Sequence, residues 1–240
     1  MKTLWTYGCS HTDGFRKEEN IIPSSRAYID MNGDVARINW TTHLANKLNC
    51  KLNNQGESGV GNDYIFKQFC KTFHDIKRGD TVIVQWTYMN RFTFASPYDD
   101  STWFKVVPHT LLDYDGFTKQ TQQEIMDNRN KRQWFVDIKQ KMDMIKNISK
   151  LIGFNLYFWS ADERILYNEI YEDHHSSCIM YDDFFAAGGF FEAMSAQGCQ
   201  TIREETNDVI PDPHLSIKGN QILADKFYDY IRSNQPVDLI

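Results

Sequence analysis

Thr81-Val82-Ile83-Val84-Gln85-Trp86 is the stretch that decides the fold. It follows a Gly79-Asp80 turn and opens with four consecutive β-branched residues. A strand without polar alternation is covered on both faces, as at the centre of a parallel sheet. Working outward, Asp63 to Ile76 carries Ile65, Phe66, Phe69, Phe73 and Ile76 on one helical stripe. Before it lie a brief strand over Lys51–Asn53, a helix over Ile38–Leu48 with Trp40, Leu44 and Leu48 four residues apart, and a first strand over Thr3–Tyr7. On the other side, Gln133–Ile152 reads as a helix through Trp134, Ile138, Met142, Ile145, Ile148 and Ile152. Gly153 then leads into a strand over Asn155–Trp159, and a last helix runs from Ser216, its N-cap, to Ile231. Strands alternating with helices predict an α/β sandwich around a parallel sheet. No repeat or linker divides the chain, so residues 1–240 are expected to form one domain. Two segments interrupt the alternation, about 91–132 and 161–211. Both follow predicted strands, which places them at the carboxyl edge of the sheet, where open α/β sheets bind ligands.

The chain has 240 residues with 41% hydrophobic and 24% charged, an ordinary globular balance. A net charge of −6 argues against a general nucleic-acid binder, which needs a basic face. Cys9, Cys50, Cys70, Cys178 and Cys199 are odd in number and form no CxxC pair, so reduced thiols are expected. No stretch resembles a signal peptide or approaches the roughly 18 apolar residues of a membrane span, so a cytoplasmic location and no membrane partner are expected.

Two ends of the chain carry the chemistry. Tyr7-Gly8-Cys9-Ser10-His11-Thr12-Asp13-Gly14 sets a serine just past the first strand. Asp212-Pro213-His214-Leu215-Ser216 sets a histidine just before the last helix, with a carboxylate to fix its tautomer. A serine is a weak nucleophile until such a base lies within hydrogen-bond reach. Between them, Asn54-Gln55-Gly56-Glu57-Ser58-Gly59-Val60-Gly61-Asn62 is a loop whose glycines allow close backbone approach.

The order serine, glycine loop, histidine resembles the SGNH (GDSL-like) family of esterases and acylhydrolases. Gly8-Cys9-Ser10 resembles its G-D-S block with cysteine in the aspartate position, and Asn54, Gly56 and Gly59 match N-x-G-x-x-G. Its G-x-N-D block is represented by Trp86-Thr87-Tyr88-Met89-Asn90-Arg91, without the glycine and with Asn90 aligned through one inserted residue. Pro211 stands at the aspartate of D-x-x-H, and Asp212 one residue nearer His214. The resemblance implies a three-layer α/β/α sandwich with a flavodoxin-like parallel sheet. It also implies hydrolysis of a small-molecule or carbohydrate ester, a carbohydrate O-acetyl or other short-chain acyl ester, with Ser10 as nucleophile, His214 as base and no metal or cofactor. Asp212 or Asp208 would support the base; a backbone carbonyl orienting a Ser–His dyad is the alternative. Ser10, Gly59 and Asn90 would hold the oxyanion, and His11, Trp86, Tyr88, Arg91 and Trp103 would line the substrate. Trp86-Thr87 and Arg91 also resemble the block in bacteriophage-encoded members, which implies a virion-associated location for a phage protein.

Other readings compete. Cys9 neighbours Ser10, but adjacent residues at a strand end point to opposite faces. His11 reads as an exposed turn histidine as well as a substrate contact. His174-His175 with Asp173, Asp182 and Asp183 matches no metal-ligand spacing. Phe92, Phe94, Tyr98, Trp103, Phe104, Tyr114 and Phe117 either form a carbohydrate-stacking or acyl-covering surface or pack the insertion onto the domain. A catalytically silent glycan-binding module and an assembly protein are the two other function classes.

Overall fold

The computed structural model describes residues 1–18, 21–88, 91–95, 103–106, 131–162 and 194–234. Four strands, β1 (Thr3–Tyr7), β2 (Lys51–Asn54), β3 (Thr81–Trp86) and β6 (Asn155–Ser160), form a sheet in the order β2-β1-β3-β6. Every pairing in it is parallel, with Leu4 opposite Thr81 and Thr81 opposite Asn155. All six residues of β3 are buried, as its β-branched run predicts. This is the predicted α/β architecture with a flavodoxin-like strand order.

Helices cover both faces. On one, α3 (Trp40–Lys47) and α7 (Ile217–Ser233) pack so that Trp40, Trp159 and Phe227 meet edge to face, with centroids 5.1 to 5.7 Å apart. On the other, Phe69 of α4 (Asn62–Thr72) meets Tyr7 at 5.6 Å, and Trp86 stacks on Phe158 at 6.1 Å. The long helix α5 (Lys131–Ile152) adds Ile138, Met142 and Ile145 to this same core. At the amino edge, buried Asp80 accepts from Thr3 N–H, Trp5 Nε1 and Lys77 N–H, locking β1 to the start of β3.

Among the described residues, three α-helices and two strands lie outside the predicted alternation. Ser10–Asp13 forms a short helix, α1, where a turn was expected. Pro23–Asn32 forms α2, started by proline at its first turn. It closes a second small core of Phe15, Tyr28, Ile29, Ala36, Ile202 and Ile210. In the first insertion, β4 (Phe92–Ala95) and β5 (Trp103–Val106) pair antiparallel. In the second, α6 (Ile202–Glu205) starts on a capping box in which Thr201 and Glu204 exchange hydrogen bonds. Among the described residues no helix is long and apolar enough to cross a membrane.

Candidate active site

Ser10 is the first residue of α1 and Cys9 its N-cap, at the carboxyl end of β1. Such a short helix cannot hold itself, and its shape comes from outside partners. Trp40 Nε1 donates to the His11 carbonyl at 2.8 Å, and both Asn39 Nδ2 and Asn54 Nδ2 donate to the Thr12 carbonyl at 2.7 Å. Gly14 closes the turn in the left-handed conformation, φ 71°, and donates its N–H to the Ser10 carbonyl. Below, Thr12 Oγ1 donates to Gln85 Oε1, and Gln85 Nε2 donates to Cys9 Sγ at 3.3 Å. Cys9 is therefore wholly buried against β3, while its neighbour Ser10 is partly open.

The glycine loop is tied to the same helix. Glu57 N–H donates to the Gly8 carbonyl, and Ser58 donates through both N–H and Oγ to Asp13 Oδ2. Arg16 binds Asp13 and the carbonyls of Asn54 and Gly56, so one guanidinium and one buried carboxylate set the path of the loop. Asn54 Oδ1 accepts from Gly56 N–H. Gly59 follows with φ 78°, a conformation that favours glycine. Among the described residues, neither Ser10 N–H nor Gly59 N–H has a protein acceptor.

His214 arrives from the other end of the chain. Its Nδ1 lies 2.6 Å from Asp212 Oδ1, which also accepts the His214 N–H at 2.9 Å. Asp212 is completely buried, and Ser25 Oγ of α2 donates to its second oxygen. Burial pushes the Asp212 carboxyl up, but the bonds from His214 and Ser25 outweigh it and hold the group at about 2. The loop is clamped by α6, whose Ile202 and Arg203 N–H groups donate to the carbonyls of His214 and Asp212. Asp208 instead pairs with Arg203. Ser10, His11, Phe15, Asn39, His214 and Asn220 are among the residues lining one small pocket. The His214 ring is 17% exposed there, packed 5.1 Å from His11 and 5.3 Å from Phe15.

Several expected site residues stand elsewhere than the sequence suggests. His11 is buried, not an exposed turn residue, because α1 turns its ring inward. Burial, reinforced by His214 and Arg91, holds its pKa well below the usual histidine value. Trp86, expected against substrate, is fully enclosed in the core. Tyr88 is half-buried beneath Arg91, whose guanidinium carbon is 4.8 Å from the ring centroid. Trp103 lies on β5, but its side chain is outside the described residues, as are Asn90, the His174-His175 segment and the side chains of Phe92, Phe94 and Phe104. Sequence reasoning passed over Asp13, Arg16, Asn39, Gln85 and Ser25. Asp13 had a signal in its place three residues after Ser10; Ser25 had none.

No family model matches the chain, and no curated protein matches it. Among solved structures it is similar to a protein assigned to the G-D-S-L lipolytic family from Desulfitobacterium hafniense, with TM-score 0.44 and 10% identity over 96% of this chain and 99% of that one. It is also similar to a member of the lipolytic G-D-S-L family from Veillonella parvula, with TM-score 0.43 and 11% identity over 95% and 97%. A third similar structure is an acetyl xylan esterase, with TM-score 0.42 and 13% identity over 95% and 99%.

Proposed function

We propose that the chain is a serine hydrolase of the SGNH type that cleaves a small ester, a carbohydrate O-acetyl or other short-chain acyl ester, through an acyl-enzyme on Ser10. The observation that carries this reading is the 2.6 Å pair between His214 Nδ1 and buried Asp212, beside the pocket that Ser10 also lines. With Nδ1–H donating to the carboxylate, Nε2 is left as the proton acceptor.

Ser10 Oγ attacks the ester carbonyl and His214 Nε2 takes its proton. The oxyanion that forms is held by the N–H groups of Ser10 and Gly59, donors that no acceptor among the described residues occupies, with Asn90 as third donor by the family's pattern. His214 then protonates the leaving alcohol, and the acyl-enzyme is released by water that the same imidazole activates. Asp212 stays ionised throughout and stabilises the imidazolium. Each preorganised oxyanion donor is worth roughly 3–4 kcal/mol of barrier.

Turnover of 4-nitrophenyl acetate tests this. Ser10→Ala and His214→Ala should each lower kcat by about 1000-fold or more, and Asp212→Asn by a comparable factor with the fold intact. Folded wild type that turns over no short-chain ester would instead favour a silent ligand-binding module.

A further inference from the structure

Arg16, Arg26, Arg37 and Arg203 each hold a carboxylate. Among the described residues, Arg91 has no carboxylate partner. Its Nη1 reaches Thr87 Oγ1 at 3.3 Å, its guanidinium covers the face of Tyr88, and its buried Nε meets no acceptor among the described residues. A guanidinium partly buried in this way loses some hydration that a neutral hydroxyl and an aromatic face only partly replace. Its planar fork of donors suits a carboxylate, which takes two parallel bonds.

Its place in the fold links Arg91 to the proposed site. Thr87 is fixed by a two-way backbone bridge to Asn62 at the start of α4, and Arg91 N–H donates to the Tyr88 carbonyl. Two residues beyond Arg91, buried Thr93 accepts from Gly61 N–H of the glycine loop. Arg91 is thus held at the carboxyl edge of β3, beside the loop that carries Gly59. Its charge is close enough to His11 to help keep that ring neutral.

We infer that Arg91 is the anion-recognising residue of this site, and that the ester it takes carries a carboxylate. The inference rests on the Ser10 reading for the chemistry, but not for the binding. The alternative role, a donor to the oxyanion itself, would act equally on neutral and anionic esters.

Two matched pairs test it: 4-nitrophenyl acetate against 4-nitrophenyl hydrogen succinate, with the anion on the acyl side, and phenyl acetate against 3-acetoxybenzoate, with it on the alcohol side. In wild type, kcat/KM for the anionic member of one pair should exceed that for the neutral member at least tenfold, about 1.4 kcal/mol. Arg91→Gln should erase the preference and Arg91→Lys keep part of it. Calorimetric binding of the same esters to Ser10→Ala protein separates recognition from turnover. The tenfold preference should persist there and vanish on adding Arg91→Gln. No preference in either pair, or one that survives Arg91→Gln, would overturn the assignment. Equal losses on both members would overturn it in favour of the oxyanion role. A binding preference without wild-type turnover would uphold the anion site and reject the hydrolase.

Discussion

Asp212 is ionised in the interior because His214 donates to one of its oxygens through both N–H and Nδ1 while Ser25 donates to the other, and that sets a prediction at the residue scale. Ser25→Ala removes the α2 donor from a buried carboxylate, a loss of roughly 1–3 kcal/mol, and should lower the melting temperature together with kcat. Because the Ser25 bond holds the carboxyl down, the Asp212 group should titrate higher in the variant, and Ser25→Thr should restore it. A merely structural role for Ser25 would move the melting temperature without the titration. His11 is shifted in the same direction as Asp212 but by a different cause, its burial. Its folded pKa is depressed, so the unfolded chain binds a proton that the folded chain refuses, and stability falls as pH drops below about 6.5. His11→Gln should therefore lose less stability than wild type between pH 7 and pH 5 in urea titrations.

Among the elements, α1 depends most on its surroundings. A Cβ at Gly8 would overlap Thr12 Oγ1, Gln85 Oε1 and Gln85 Cβ, so Gly8→Ala must break the Thr12–Gln85 contact or shift α1 against β3. We expect a cost of about 1–3 kcal/mol and a large fall in Ser10 reactivity, read by denaturant unfolding and by ester turnover. Unchanged activity would mean that α1 need not sit on Gln85. The same element shows where sequence reading succeeds and stops. β3 and α7 were legible because their own side chains encode them, by β-branched burial in one and a capped 3.6-residue stripe in the other. α1 is four residues long, too short for a period, and its hydrogen bonds come from Trp40, Asn39 and Asn54, far along the chain. α2 buries only Ser25, Tyr28 and Ile29 and offers a correspondingly weak stripe. The Ser10, glycine-loop and His214 order was readable as a pattern, but the Ser25–Asp212 contact spans 187 residues and has no local signature.

Over the whole molecule, the sheet brings the two ends of the chain to one edge, and the proposed chemistry depends on that convergence. β1 delivers Ser10, the loop after β2 delivers Gly59, the turn after β3 delivers Arg91, and the loop before α7 delivers His214. α6 and α2 hold the last of these from both sides. Acid should undo the assembly from this corner. The Asp212 carboxyl lies at about 2 against an ordinary 3.8, so its contribution, on the order of 2 kcal/mol, is full above about pH 4 and lost as pH falls through 2. Asp212→Asn should correspondingly show a shallower acid-denaturation profile below pH 4. The central claim is that His214 activates Ser10, and the most direct test is intact-mass spectrometry after treatment with a fluorophosphonate. A single adduct mapped to Ser10 in wild type, absent from Ser10→Ala and from His214→Ala, is the predicted result. Folded wild type that takes up no adduct at probe concentrations that label a control serine hydrolase, or an adduct that survives in His214→Ala, would contradict it.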